Sequence, residues 1–69
     1  MKINCDAFKK LRESKLLGVY NLAKQADVSP SIVKSLEEGG RPRLESIRKV
    51  IVALGLTVEE AYEKKLIED

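Results

Sequence analysis

The sequence predicts an all-α fold of five short helices, and three observations carry that expectation. Apolar residues recur at three- and four-residue spacing in five successive segments. Between the segments stand residues that end or start helices: Ser29-Pro30, Gly39-Gly40, Gly55 and Thr57. Nowhere do polar and apolar residues alternate for long enough to read as a strand.

The first helix is expected to open at Cys5, with Asn4 as its cap and Asp6 in its first turn, and to run to about Lys15 with Phe8 and Leu11 inward. The second covers Val19 to Ala26, where Val19, Leu22, Ala23 and Ala26 fall on one face. The third begins at Pro30, whose missing N–H costs nothing at the first helical position; Ser29 is predicted to cap its free amides, and Gly39 and Gly40 stop it. The fourth spans Leu44 to Leu54, with Leu44, Ile47, Val50, Ile51 and Leu54 as a broad buried face before Gly55 takes a left-handed terminal conformation. The fifth starts from a capping box of Thr57 and Glu60 and carries Val58, Ala61 and Tyr62 inward. The charged tail beyond it is expected to fray. Leu66 and Ile67 are open to two roles, completing the core or forming the apolar contacts of a dimer, with the core favoured for Leu66.

Composition sets the bounds. A chain of 69 residues is expected to form one domain, residues 1–69, because a domain of this size buries only about 60% of the surface its unfolded chain exposes. With 43% apolar and 35% charged residues, the core must be modest and built from Leu, Val, Ile and Ala. There is one cysteine, Cys5, and no histidine, so neither an internal disulfide nor the usual zinc ligand sets are available. No membrane span or export signal is legible. A cytoplasmic protein with no metal, cofactor or small-molecule ligand is the expectation. Without histidine, a metal cluster or a glycine-rich phosphate loop, an enzyme is the least supported reading. The net charge of +2 is unevenly spread: residues 1–15 carry five basic and two acidic groups, residues 44–69 four and six. A polyanion would meet the N-terminal two-thirds.

The second and third helices are joined only by Asp27-Val28-Ser29, and so short a connection forces them to cross steeply. Ala23 must be small at that crossing, while Val28, Val33 and Leu36 fill the space toward the core. The third helix is left with an outward face of Pro30, Ser31, Lys34, Ser35 and Glu38.

These residues resemble the Xre family of Cro- and repressor-type helix-turn-helix proteins. The resemblance runs through Leu11-Arg12-Glu13, Leu22-Ala23, Val28-Ser29, Val33, Leu36-Glu37 and Ala53-Leu54-Gly55-Leu56-Thr57, in register over some fifty residues. It implies a five-helix, lambda-repressor-like fold whose helices two and three form the helix-turn-helix. It also implies sequence-specific binding of double-stranded DNA, with helix three in the major groove, as a transcriptional regulator that is more often a repressor. Base-contact candidates are then Pro30, Ser31, Lys34 and Ser35. Serine hydroxyls donate or accept and discriminate poorly, whereas Lys34 can donate to guanine O6 or N7. Backbone candidates are Gly18, Val19, Tyr20 and Asn21 at the start of helix two, and Arg41 and Arg43 on either side of Pro42. Arg12 and Glu37 are assigned instead to a structural ion pair between helices one and three. A homodimer on a near-palindromic site is the expected assembly.

Several positions depart from the family's pattern. Where relatives commonly open helix two with Ser or Thr followed by Gln, this chain has Gly18 and Val19, so that contact does not carry over; the backbone amides there can still receive a phosphate, with Tyr20 and Asn21 adding side-chain donors. Asp27 occupies a turn position that is usually glycine, and the loop from Gly39 to Arg43 is about one residue shorter. A face without Arg, Gln or Asn on helix three keeps a second reading open: a protein-interaction module of the same fold, such as an antitoxin or regulatory subunit. Against it, that face lacks the aromatic anchor of a protein-binding hot spot.

Overall fold

The computed structural model describes residues 1–69. Asn4 opens the first helix, its side-chain oxygen accepting from the Ala7 amide at 3.1 Å. The elements in order are β1 (Lys2–Ile3), α1 (Cys5–Ser14), α2 (Val19–Ala26), α3 (Pro30–Glu38), α4 (Leu44–Ala53), α5 (Val58–Glu63) and β2 (Ile67–Glu68). The apolar stripes of the helices meet in one cluster: Phe8 from α1, Leu22, Ala23 and Ala26 from α2, Val33 and Leu36 from α3, Ile47, Val50 and Ile51 from α4, and Ala61 from α5. Helix α4 lies against α2, α3 and α5, so its wide apolar face is the platform for those three, while α1 packs on α3. Thr57 and Glu60 form the capping box at the start of α5, each bond 3.1 Å long.

All five helices stop at a residue with positive φ: Leu16, Asp27, Gly39, Gly55 and Lys65. At four of these stops two backbone bonds close the end in the same way. After α1, the Leu17 amide reaches the Arg12 carbonyl and the Leu16 amide reaches that of Glu13. The same pair of bonds follows Gly55 and Lys65, and at Asp27 the Val28 amide returns to Ala23. Only two of the five stops are glycine, so three side chains are held in a conformation where Cβ crowds the following carbonyl. This repeated closure keeps the connections short.

Three expectations require correction. The C-terminal tail does not fray. After the left-handed stop at Lys65, the chain turns back and Ile67–Glu68 pairs antiparallel with Lys2–Ile3, in register Ile3 with Ile67 and Lys2 with Glu68. The Asn4 amide adds a bond to the Leu66 carbonyl at 2.9 Å. Leu66 and Ile67 are each 2% exposed, so both complete the core, as favoured for Leu66. Burying two large aliphatic side chains stabilises by about 1.5–3 kcal/mol each, enough to order a tail whose charges alone suggest fraying. Strands of two residues are too short to leave an alternating pattern in the sequence.

The second correction concerns Leu44, Val58 and Tyr62, expected inside and found exposed, Leu44 at 69%. Leu44 and Val58 are the first residues of α4 and α5, and their turns overhang the edge of the core. Together with Met1 they line an apolar groove that also reaches Ile47, Ile51 and Ile67. The third is Ser29, which precedes α3 without capping it: its hydroxyl lies 2.9 Å from that of Ser31 instead.

Candidate nucleic-acid interface

The unit formed by α2 and α3 is built around a tight reversal. Asp27 takes a left-handed conformation (φ 58°, ψ 45°), which aspartate tolerates better than most residues because its short polar side chain bonds locally. Ser29 returns to extended backbone and Pro30 begins α3. Ala23 and Ala26 of α2 are buried, and Val28 of the connection packs partly against the same core. Helix α3 lies against α2 with one side sunk through Val33 and Leu36 and the other left to solvent.

On that outer side Ser31, Lys34 and Glu38 are exposed, while Pro30 and Ser35 are half-buried. Ser35 is covered by the loop that follows α3. The Gly40 amide donates to the Ser35 carbonyl at 2.8 Å, and a Cβ on Gly40 would stand 2.7 Å from the Ser35 Cβ. Glycine is required there by this close approach. Of the four base-contact candidates, Ser31 and Lys34 are therefore the two that project. Ser31 shares a hydrogen bond with Ser29, and the Lys34 Nζ lies 5.7 Å from the centroid of the Tyr20 ring, over its face. The Tyr20–Lys34 contact has no signal in the sequence, because the two residues are brought together only by the crossing of α2 and α3.

The flanks divide in the same way. Gly18 precedes α2 in extended conformation (φ −76°, ψ 163°) and no side chain caps the helix, so its first amides point outward unpaired. Nothing lies within 4 Å of where a Gly18 Cβ would stand, which leaves open space for an approaching group. Val19 is half-buried against the core, and only its backbone amide is available on this edge. Tyr20 and Asn21 are exposed beside it. Arg41 and Arg43 are exposed on either side of a half-buried Pro42, and Arg43 stands immediately before α4.

Arg12 and Glu37 join α1 to α3. The Arg12 Nε donates to Oε2 of Glu37 at 2.6 Å and its Nη2 to Oε1 at 2.9 Å, with only 11% and 8% of the two side chains exposed. The hydrogen bond to Glu37 raises the Arg12 pKa further above its ordinary value, against the opposing effect of desolvation. Both charges are consumed by the fold.

No group of three or more Cys, Asp or Glu side chains is gathered closely enough to hold a metal ion, and no helix is long and apolar enough to cross a membrane. The candidate interface is a polar helix face with Lys34 at its centre and Arg41 and Arg43 at its margin.

Neither a curated protein nor a solved structure matches the chain significantly. The family model described as helix-turn-helix matches residues 8–60, from the buried Phe8 of α1 into α5, and so takes in both helices of the reversal and the platform behind them. The chain belongs to the Cro/C1-type, Xre-like helix-turn-helix family of DNA-binding domains.

Proposed function

We propose that this protein binds double-stranded DNA sequence-specifically by placing α3 in the major groove, and that it regulates transcription by occupying its site. The observation that carries the reading is the outward face of α3: Ser31 and Lys34 project from a helix whose opposite side is fixed by Val33 and Leu36. A helix about 10–12 Å across fits a groove of about the same width. Lys34 then meets a guanine edge and Ser31 lies alongside it, while Pro30 and Ser35 contribute shape at the margins. Phosphates on one side meet the amides at Gly18, Val19, Tyr20 and Asn21, where the positive end of α2 favours an anion. Those on the other side meet Arg41 and Arg43, whose planar guanidiniums suit phosphate oxygens. Repression needs only that a bound protein exclude others from the site, so it requires no surface beyond this one.

The same proposal takes residues 1–69 as one domain that acts as a homodimer on two half-sites about one helical turn apart. The exposed groove of Met1, Leu44, Val58 and Tyr62 supports it, because grouped apolar side chains on a small protein mark an interaction surface.

The test is affinity for random-sequence and selected duplexes measured across a salt series. The expected result is an enriched duplex and an affinity that falls steeply as salt rises, since each phosphate contact releases condensed counterions. Affinity that stays flat with salt, with no sequence enriched, would transfer the role of this face to a protein partner.

A further inference from the structure

We infer that Tyr20 is a positioning residue for Lys34, and that base selectivity at this interface depends on its ring. The inference rests on the DNA-binding reading above and assigns a part that Lys34 alone does not play. Lysine is a poor reader by itself: its ammonium sits on a flexible four-carbon stem and donates to a phosphate as readily as to a base. In this chain one arrangement of the stem is favoured. The ammonium lies over the face of Tyr20, 5.7 Å from the ring centroid, within the range in which the ring's negative face attracts a cation.

Tyr20 is the second residue of α2 and is 68% exposed, so its ring is not part of the core and its position is explained by no burial. The ring stands on the α2 side of α3 and draws Lys34 toward that side. An ammonium carries three N–H donors, and a ring on one side leaves donors on the other to reach a base edge. Ordering the side chain before DNA arrives lowers the cost of ordering it on binding. It also restricts the direction from which the cation enters the groove. The consequence is a preference at one base pair instead of a diffuse attraction to the backbone.

The experiment compares wild type, Tyr20→Phe, Tyr20→Leu, Lys34→Ala and the Tyr20→Leu/Lys34→Ala double variant, using the full chain. Two readouts are taken: ring-current shifts of the Lys34 side-chain protons in the free protein, and base preference at every position of the duplex enriched by wild type. Tyr20→Phe keeps the ring and is expected to retain both the shift and the preference. Tyr20→Leu is expected to abolish the shift and to relax preference by about two- to fivefold, the range an exposed cation–π contact supports. The relaxation should fall at the base pair that Lys34→Ala also relaxes, and adding Tyr20→Leu to Lys34→Ala should change nothing further there. The inference is overturned by an absent wild-type shift, by unchanged preference in Tyr20→Leu, or by an equal loss across all sequences. It is equally overturned if Tyr20→Phe behaves as Tyr20→Leu, which would assign the role to the hydroxyl. If wild type enriches no duplex at all, the DNA-binding reading itself fails, a result distinct from an enriched duplex indifferent to Tyr20.

Discussion

Arg12 and Glu37 lock α1 to α3 through a two-pronged ion pair, and the remaining arm of the same guanidinium, Nη1, donates to the Leu17 carbonyl at 2.8 Å. One side chain thus fixes the back of α3 and the approach to α2 together. Replacing Arg12 by Ala leaves the Glu37 carboxylate nearly buried without its partner, at a cost of about 3 kcal/mol. The expected outcome in chemical denaturation is a large fall in midpoint. DNA affinity under conditions where the variant remains folded should be nearly unchanged. Retained stability with lost affinity would move Arg12 into the interface.

Leu16 ends α1 in a left-handed conformation (φ 56°) while its side chain is 93% exposed. The leucine therefore suffers the steric cost of that conformation and contributes little burial in return. Leu16→Gly removes crowding worth about 1–2 kcal/mol against about 0.4–1 kcal/mol of added unfolded-chain entropy, so a net stabilisation of about 1 kcal/mol and a Tm higher by a few degrees are expected. A lower Tm would mean that the exposed leucine makes a contact outside the chain's own core.

Leu66 lies in the core behind the pairing of β1 with β2. Leu66→Ala is expected to destabilise by about 2–4 kcal/mol, as loss of a buried leucine does, with heat denaturation as the measure. A frayed tail would instead give a change within about 0.5 kcal/mol.

Arg41 and Arg43 carry the proposed phosphate contacts on the α4 side. Replacing either with Ala should reduce the magnitude of the salt slope of log affinity by about one and weaken all duplexes alike. A change in which sequence is preferred, with the slope intact, would reassign the altered arginine to base reading.

In the apolar groove that begins at Leu44, Leu44→Glu tests the proposed homodimer. Leu44 is exposed in the chain, so the substitution should alter monomer stability by no more than about 0.5 kcal/mol. Sedimentation should show wild type as a dimer and the variant as a monomer at the same concentration. Identical sedimentation of the two would remove this groove from self-association.

The helices were legible because their signals are local. Asn4, the Thr57–Glu60 box, Pro30 and Gly55 act within one turn, and the apolar stripes from Leu22 to Leu54 follow the helix period. What escaped was set by distant contacts. Leu44 and Tyr62 fit the periodicity of their helices but lie past the edge of the core, which no local pattern marks. Ile67 looks like the start of a frayed end until Ile3 is seen opposite it. At the interface, residue types suggested Lys34, but its contact with Tyr20 depends on the packing of α2 on α3. The half-covered state of Ser35 likewise depends on where Gly40 folds back.

The central claim, that α3 reads the major groove, is tested most directly by methylation interference on the duplex that wild type enriches. Guanine N7 lies on the major-groove edge and adenine N3 on the minor-groove edge, so methylation of each reports on one groove. The expected result is loss of binding when guanine N7 is methylated within each half-site, with relief at the Lys34-dependent position in Lys34→Ala. Interference at adenine N3 alone, with guanine N7 methylation tolerated throughout, would contradict it.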